Sequence, residues 1–394
     1  MTLEPDADYV LPLRWADDEG LDELTDYLRW LSGQIRVLVV DGSPAPLWER
    51  HHVAWSQHVR HVRPERACRN GKVAGVLTGM GLVSGERVVV ADDDVRYDDQ
   101  SLRAVLDRLA TADVVAPQNV FEPMPWHTRW DTARSLLNRA FAADYPGTLA
   151  VRASTFRAMG GYDGDVLFEN LELMRTVRAA GGRVDRPRWL YVRRRPPAAG
   201  RFWSQRVRQA YDDLAQPARL TWSLAAGPGA LWLLATGRAR WLAGSAAGTV
   251  LLAELGRRRD GGRTVYPPST VLFAPLWVAE RAVCVWWAVG LRLTRGGVSY
   301  AGQRIRVAAH RPRTIRRRLA AQSARPVRPG ARGAEVADLV GPVAERFERG
   351  PTAPAQGHRA SAAVDHLTAG GGQPEVAAHQ EWPVPVRRDR RRRV

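Results

Sequence analysis

An α/β fold with a mixed, largely parallel sheet and flanking helices is the fold class that the first half of this chain predicts. Short apolar segments alternate with helical patterns from residue 9 to about residue 191, which is the arrangement of parallel-sheet proteins. Two apolar segments end in carboxylates, at Asp41 and at Asp92. Open α/β sheets bind ligands at the carboxyl ends of their strands. The sequence therefore predicts both the sheet and the edge of it that carries a site.

The individual elements follow from apolar periodicity and from turn residues. β-Branched runs indicate strands, an acidic start indicates a helix, and the stretch Asp41-Gly42-Ser43-Pro44 is a turn sequence. The predicted elements are strands at residues 9–13, 35–40 and 58–62, a helix at residues 17–32, a helix after Gly71 and a strand that ends at Asp92.

Three consecutive aspartates, Asp92, Asp93 and Asp94, follow an apolar run and precede Val95. Adjacent carboxylates repel one another, so such clusters persist mostly where a cation or several donors offset the repulsion. Hard oxygen ligands favour Mg²⁺ or Mn²⁺, and these ions also bind the phosphate oxygens of substrates. The cluster therefore indicates a divalent-cation site. An acidic turn that merely closes a strand is the alternative.

The basic residues give a second indication. The 394-residue chain carries a formal net charge of +17, which suits nucleic acid, an anionic membrane surface or a phosphorylated substrate. Lys72 is the only lysine of the chain, and all other permanently charged basic side chains are arginine. A compact ammonium on a flexible stem is not interchangeable with a planar guanidinium. Lys72 is therefore a candidate site residue, although an arginine-rich genome explains the general bias.

Cysteine usage and the first residues bear on the compartment. Cys68 and Cys284 lie far apart and form no metal or disulfide pattern. The first eight residues are acidic, and no apolar segment of a secretory signal follows them. We expect the first part of the chain to face the cytoplasm.

A second region, at residues 216–305, contains three apolar, alanine-rich segments at residues 220–237, 241–255 and 269–291. Crossing a bilayer takes about 20 apolar residues, so the first segment is marginal and the second is short. The third is interrupted by Glu280 and Arg281, which are costly in lipid unless they are paired. Abundant tryptophans and flanking arginines favour membrane-associated helices over buried soluble ones. The number of spans stays open, and an interfacial helix remains an alternative.

The last region, residues 306–394, is rich in Arg, Pro, Ala and Gly and ends in a run of arginines. We expect a disordered basic tail, with a short helix near residues 335–348 and no catalytic role.

Several motifs in a fixed order resemble those of family 2 glycosyltransferases with the GT-A fold, over residues 8 to 305. The branch that is similar to this chain is that of membrane-associated, ceramide glucosyltransferase-like enzymes. The resemblance implies a nucleotide-diphospho-sugar transferase of the hexosyltransferase type, with a catalytic domain at residues 1–215. It rests on Val39-Val40-Asp41-Gly42-Ser43, Gly71-Lys72, Asp92-Asp93-Asp94, Gly147 to Arg152, Phe156 to Asp163, Phe168 to Leu173, Gln205 to Gln209 and Gly296 to Gly302.

The resemblance assigns the donor site. Asp92 and Asp94 are the two ends of the family's Asp-x-Asp motif, with Asp94 as the direct metal ligand and Asp92 as the second. Asp93 takes the variable middle place and points away. Asp41 would receive the nucleobase, and Lys72 would lie near the donor nucleotide. The divalent cation, Mg²⁺ or Mn²⁺, would neutralise charge that develops on the leaving diphosphate.

The segment from Gln205 to Gln209 resembles the family's Gln-x-x-Arg-Trp motif. Arg208, and with it Gln205, would lie against the diphosphate or the acceptor channel, because the arginine fork suits phosphate. The chain has Gln209 where the motif has tryptophan, and an ordinary surface arginine is the alternative for Arg208.

The chain departs from the family at the catalytic base. Asn170 stands where the family usually has aspartate after glutamate, and an amide cannot accept the acceptor's proton. Glu169 and Glu172 are the two candidates, since they lie three residues apart on one helix face. Glu169 is preferred because it belongs to the motif itself.

The predicted activity is transfer of one sugar from a nucleotide-diphosphate sugar to a lipid or lipid-linked acceptor, with inversion implied by the family. A processive polysaccharide synthase shares these motifs but needs more membrane helices. A weakly active or inactive transferase-like membrane protein and, in a different class, a basic nucleic-acid-binding protein are further alternatives. No specific nucleic acid is expected as a partner.

Overall fold

Strands and helices alternate along the first half of the computed structural model, which describes residues 6–323 of the chain. The strands are β1 (Ala7–Leu13), β2 (Arg36–Asp41), β3 (Arg60–Val62), β4 (Arg87–Ala91), β5 (Val95–Arg96), β6 (Val114–Val115), β7 (Gln118–Phe121), β8 (Thr148–Arg152), β9 (Val184–Asp185), β10 (Tyr191–Arg194), β11 (Val298–Tyr300) and β12 (Gln303–Ile305). The α-helices are α1 (Leu21–Ser32), α2 (Ala45–Trp55), α3 (Gly71–Leu82), α4 (Asp99–Arg108), α5 (Trp126–Phe141), α6 (Ala153–Ala158), α7 (Glu169–Ala179), α8 (Ala199–Ser204), α9 (Arg206–Ala210), α10 (Pro217–Ala235), α11 (Ala239–Arg258), α12 (Gly262–Val265), α13 (Ala274–Thr294) and α14 (Pro312–Ser323). Two 3₁₀ helices, Tyr211–Ala215 and Pro268–Phe273, precede α10 and α13.

The central sheet has seven strands in the order β3-β2-β1-β4-β8-β6-β9. Strands β3, β2, β1 and β4 are mutually parallel, and β8 runs antiparallel to both β4 and β6. A smaller sheet joins β5, β10 and β7, and β11 pairs with β12 in a hairpin. The predicted mixed, largely parallel α/β fold is therefore confirmed.

Helices cover both faces of the central sheet. One apolar cluster includes Leu24 and Leu28 of α1 and Leu102 of α4, and the other includes Val76 of α3 and Leu173 of α7. The sheet strands β1, β2 and β4 read as nearly continuous apolar runs because both of their faces are buried.

Helix α3 lies very close to β1 because two of its residues are glycine. A Cβ atom at Gly79 would lie 2.4 Å from Val10 Cγ1, and one at Gly75 would lie 2.8 Å from Pro12 Cβ. Any larger residue would push the helix away from the sheet. This close approach sets the position of Lys72, which lies in the first turn of α3.

Several predicted boundaries shift: β1 begins at Ala7 rather than at residue 9, and β2 covers Arg36–Asp41 rather than residues 35–40. Helix α1 begins at Leu21 rather than at residue 17, because Gly20 adopts φ 92°, outside the helical region. Strand β3 begins at Arg60 rather than at residue 58, and β4 ends at Ala91, one residue before the aspartates.

The three apolar segments of the second region form α10, α11 and α13. Within residues 6–323, one helical segment, Pro268–Thr294, is long and apolar enough to cross a membrane, and 33% of its most apolar window is buried inside the protein. These helices belong to the same compact unit as the sheet, because contacts join the chain without a division up to Ser323.

The described part of the predicted tail, residues 306–323, is ordered. Val307 bridges to Val166, and α14 follows as a 12-residue helix that contacts α7. The helix predicted near residues 335–348 lies outside the described residues.

Candidate active site

The Lys72 side chain contacts two carboxylates with different predicted roles, one in metal binding and one as the catalytic base. Its Nζ atom forms ion pairs with Asp92, which follows β4, and with Glu169, the first residue of α7. Asn70 caps α3 by accepting a hydrogen bond from the Lys72 backbone at 3.1 Å and donates to Val166 O at 2.9 Å. Burial alone would lower the pKa of Lys72, but the carboxylates of Asp92 and Glu169 outweigh it and raise that pKa. The ammonium is therefore charged and fixed at the edge of the sheet.

Asp94 is held by Arg194, the last residue of β10. The guanidinium donates to both Asp94 oxygens, at 3.0 Å from Nε and 2.6 Å from Nη2, and lies 3.6 Å from Asp92 Oδ2. Burial and the neighbouring carboxylates of Asp92 and Asp93 raise the pKa of Asp94, while Arg194 opposes them. The second aspartate of the predicted pair thus has a permanent cation beside it.

Asp93 is engaged elsewhere, as the sequence predicts for the middle residue. Its Oδ2 accepts a hydrogen bond from Trp15 Nε1 at 2.6 Å. Trp15 in turn packs edge-on against His51 and Trp55 of α2. Asp93 therefore ties the aspartate loop to the loop after β1.

Asp41 does not fit the predicted contact with a nucleobase. Its carboxylate is completely buried, and it faces His51 Nδ1 at 2.7 Å and His61 Nε2 at 3.2 Å and accepts from the Ser43 backbone at 2.8 Å. Burial would raise the pKa of Asp41, but hydrogen bonds from His61, Ser43 and His51 outweigh it and lower the pKa to about 2. In this geometry Asp41 organises the end of β2 from beneath the surface.

Glu172 does not fit the role of a base either. Its side chain is 2% exposed, and its two oxygens accept hydrogen bonds from the backbone and the ring of His310, at 2.6 and 2.9 Å. Glu169 is 13% exposed and contacts the Lys72 ammonium. Asn170 donates to Pro146 O at 3.1 Å, so its amide fixes the loop that precedes β8. Of the two candidates, Glu169 alone reaches the group around Asp92.

Arg208 is linked to this group through Tyr300. Gln205 separates α8 from α9, and the Arg208 guanidinium lies over the ring of Tyr300, 5.1 Å from its centroid. Burial raises the pKa of Tyr300, and the charges of Glu169, Lys72 and Arg208 also act on its phenol. Tyr300 on β11 is therefore near both Arg208 and the Lys72–Glu169 pair.

The charges around the aspartates do not balance. Three carboxylates (Asp92, Asp94 and Glu169) face two permanent cations, Lys72 and Arg194, which leaves an excess of one negative charge. Within the described residues, no group of three or more His, Cys, Asp or Glu side chains is arranged to hold a metal ion. Two partly exposed aspartates nonetheless suit Mg²⁺, which proteins usually hold by one or two carboxylates together with substrate phosphates. The donor set and the charge fit a divalent cation that arrives with a phosphorylated ligand.

Sequence reasoning missed three residues of this site: Trp15, Arg194 and His310. Arg194 had a signal, because it belongs to a run of three arginines that directly follows the apolar residues 189–192. Trp15 and His310 had no signal in the sequence, because each contacts its partner, Asp93 or Glu172, only in the folded chain.

Residues 21–160 match the model of Glycosyl transferase family 2. The matched segment runs from α1 past α6 and contains Lys72 and all three aspartates. The chain is therefore a glycosyltransferase. No curated protein sequence matches it.

Solved structures with similarity to this chain include three sugar transferases. A mannosyltransferase from Pyrobaculum calidifontis, in complex with GDP-Man and Mn²⁺, is 19% identical, with 73% of this chain and 88% of that chain covered and a TM-score of 0.44. Mannosyl-3-phosphoglycerate synthase from Rubrobacter xylanophilus is 16% identical, with 55% and 76% covered and a TM-score of 0.36. Glucosyl-3-phosphoglycerate synthase from Mycobacterium tuberculosis, in complex with Mn²⁺, UDP and glucosyl-3-phosphoglycerate, is 15% identical, with 51% and 75% covered and a TM-score of 0.35.

Proposed function

We propose that this glycosyltransferase moves a single hexose from a nucleotide-diphosphate sugar to a lipid or lipid-linked acceptor, with a divalent cation and with inversion. The observation that carries the donor half of the proposal is the cluster of Asp92, Asp94 and Glu169 around Lys72 and Arg194. Its excess negative charge and its oxygen donors match a cation that binds together with a diphosphate. It lies at the carboxyl end of β4, where ligands bind in open α/β sheets.

Asp94 and Asp92 would hold the cation, Mg²⁺ or Mn²⁺. When bound there, the cation supplies Lewis-acid stabilisation of the leaving diphosphate. Lys72 contributes a second positive charge on the same side, fixed by the cap of α3. Arg208 lies beyond Tyr300 and provides a bidentate donor for a phosphate group of the donor or acceptor.

Glu169 is the base in this proposal. It is the carboxylate of α7 that reaches the site, and proton transfer to a positioned carboxylate is what an inverting transfer requires. Its ion pair with Lys72 holds Glu169 beside Asp92, which pairs with the same ammonium. Asn170 fixes the backbone at Pro146 and takes no part in proton transfer.

An exposed apolar face supports a lipid acceptor and a membrane location. The face is formed by side chains of α10, α11 and α13 that are each about half exposed or more: Trp222, Leu231, Trp232, Leu234, Trp241, Leu251, Leu276, Val283, Trp286, Trp287 and Leu293. Tryptophan concentrates at the boundary between lipid and water, so this composition fits a bilayer surface. Exposed arginines at both ends of these helices, including Arg238, Arg240 and Arg295, complement anionic headgroups.

The contacts of α13 favour a helix that lies in the membrane surface over one that crosses it. Its Glu280 accepts from Trp130 Nε1 at 3.0 Å and lies 3.4 Å from Arg206, and its Arg281 donates to Gln209 O at 2.8 Å. The charges at the middle of the helix therefore find their partners in the catalytic part of the chain. We propose that the protein docks on the cytoplasmic leaflet with this apolar face.

Binding of nucleotide sugars tests the donor site. The purified protein is screened against UDP-, GDP- and dTDP-hexoses, with and without Mn²⁺, and binding is measured by titration calorimetry. We expect metal-dependent binding of one nucleotide class, and a loss of about tenfold or more in Asp92→Asn and Asp94→Asn. Asp93→Asn is the matched control, because Asp93 bonds Trp15, and it should keep the affinity.

Unchanged metal-dependent binding in both Asp92→Asn and Asp94→Asn would refute the donor site. Products formed with membrane lipid extract then test the transfer itself. One added sugar supports the proposal, whereas a ladder of products would favour a processive synthase.

A further inference from the structure

Arg194 and a bound cation need the same oxygens. The Arg194 guanidinium occupies both carboxylate oxygens of Asp94, and its Nη2 atom also lies 3.6 Å from Asp92 Oδ2. A cation coordinated by Asp94 and Asp92 must share or displace these bonds. The salt bridge is thus in direct competition with the metal site of the proposed function.

The fold builds a place for this guanidinium. Strand β10 lies between β5 and β7, with Arg194 opposite Val95 and Phe121. The Arg194 carbonyl accepts from the Glu122 backbone at 2.9 Å, and the next peptide N–H donates to Asp94 O at 2.7 Å. The backbone of Arg194 is therefore fixed on both sides.

Gly147 leaves the space for the side chain. A Cβ atom at this position would lie 2.9 Å from Arg194 Cζ and 3.0 Å from Nη1, too close for any side chain unless the guanidinium moved. The same residue accepts the Asp92 backbone N–H at 3.2 Å. Gly147 thereby brings the arginine and the aspartates together at one point of the sheet edge.

A second acceptor is available to this arginine only when a phosphorylated ligand is present. The guanidinium fork matches carboxylate and phosphate equally well in geometry. About a quarter of the side chain is exposed, so a ligand at the aspartates can reach it. A diphosphate bound beside the metal pair would offer phosphate oxygens to the same guanidinium.

We propose that Arg194 is a donor-diphosphate ligand that exchanges between Asp94 and the diphosphate, and that this exchange makes the cation and the nucleotide bind together. The inference rests on the proposed donor site. With Arg194 on Asp94, the cation alone binds weakly. With a diphosphate present, Arg194 transfers to phosphate and leaves both Asp94 oxygens to the cation. Lys72 cannot take this part, because it is paired with Asp92 and Glu169 rather than with Asp94.

The test uses the full chain and two probes, Mn²⁺ alone and inorganic pyrophosphate alone. Mn²⁺ binding is followed by the electron paramagnetic resonance signal of the free ion, and pyrophosphate binding by calorimetry in EDTA. In Arg194→Gln we expect about tenfold tighter binding of Mn²⁺ and about tenfold weaker binding of pyrophosphate. Opposite signs are diagnostic, since a residue with a merely structural role would weaken both when removed.

Arg193→Gln is the matched control. Arg193 pairs with Glu122 at 2.9 Å and lies 3.8 Å from Asp98, so its removal should change neither affinity. Arg194→Lys serves if the glutamine variant fails to fold. It keeps the charge, loses the fork, and should shift both affinities in the same two directions by a smaller factor.

The double variant Asp94→Asn/Arg194→Gln distinguishes a failure of the Arg194 exchange from a failure of the proposed metal site. Unchanged or weaker Mn²⁺ binding in Arg194→Gln overturns the exchange, while loss of Mn²⁺ in Asp94→Asn still supports the donor site. Mn²⁺ binding that survives in the double variant places the cation elsewhere and overturns both.

Discussion

Glu169 and Glu172 lie on one face of α7, yet their surroundings give them opposite roles. Glu169 contacts Lys72 at the site, whereas Glu172 is enclosed by His310. We predict that Glu169→Gln lowers kcat by about 100-fold or more, because the acceptor loses its proton acceptor. Its melting temperature should stay close to that of the wild type. Turnover with the identified donor and lipid acceptor, together with a thermal melt, measures both quantities.

Glu172→Gln is the matched variant and should behave in the reverse way. It weakens two hydrogen bonds from His310 to a buried carboxylate, which costs about 1–3 kcal/mol of unfolding free energy. The folded fraction should keep a kcat within a few-fold of the wild type. A large loss of kcat in Glu172→Gln with full activity in Glu169→Gln would reverse the assignment.

At the scale of single residues, sequence reasoning identified the main residues of the site but not all of the side chains that contact them. Asp92, Asp94, Lys72 and Glu169 were each singled out, and the structure brings them together. The enclosure of Glu172 was not predictable, because His310 is 138 residues away along the chain. Helical periodicity shows which side chains share a face, but it does not show what covers that face.

At the scale of elements, the end of β2 and the start of α2 form a buried polar cluster. Asp41 at the end of β2 faces His51 of α2 and His61 of β3, and His51 Nε2 lies 3.2 Å from Asp18. Trp48 of α2 stacks on His61. The cluster links two strands and a helix through one carboxylate, so its protonation affects all three elements.

The pH dependence of stability follows from this carboxylate. The pKa of Asp41 is about 2 in the folded protein against an ordinary value of 3.8. The folded state therefore binds this proton less readily than the unfolded chain does. The stabilisation is complete above about pH 4, amounts to about 2 kcal/mol, and is lost as the pH falls through about 2.

We predict that Asp41→Asn lowers the free energy of unfolding at pH 7 and flattens its decline between pH 4 and pH 2. Urea unfolding at a series of pH values measures both effects. Asp26→Asn is the control, since Asp26 is 76% exposed and pairs with Arg29 across one helical turn. A decline as steep in Asp41→Asn as in the wild type would show that other carboxylates govern acid unfolding.

Elements with strong periodicity were predictable, and short ones were not. The strands β1, β2 and β4 carry continuous apolar runs that only a doubly covered sheet explains. Strands β5, β6 and β9 have two residues each, too few to show an alternation. The small sheet that carries Arg194 joins the two-residue β5 to two strands of four residues, β10 and β7, and such short strands gave no clear pattern in the sequence.

At the scale of the whole molecule, α13 decides how the chain can meet a membrane. Its first residue, Ala274, packs with Ala133 and Leu136 of α5. Ala288, near its other end, packs with Val298 and Ile305 of the β11–β12 hairpin. Both ends of the helix and its central ion pairs thus contact the same compact unit. A crossing helix would have to place one of these contacts on the far side of the bilayer.

We therefore predict that both flanks of α13 lie on the cytoplasmic side. Single cysteines replace the exposed Arg263 and Arg295 in a background that lacks Cys68 and Cys284, and a membrane-impermeant maleimide labels sealed bacterial membranes. In inverted vesicles both positions should react, as should a marker cysteine at the exposed Ser56 of the catalytic part. In spheroplasts none should react.

Labelling of one flank in each preparation would establish a crossing helix. Glu280 and Arg281 would then have to find partners within the bilayer, where unpaired charges are costly. Labelling on one side instead leaves an amphipathic helix in the plane of the leaflet, with its tryptophans toward lipid and its charges toward the catalytic residues.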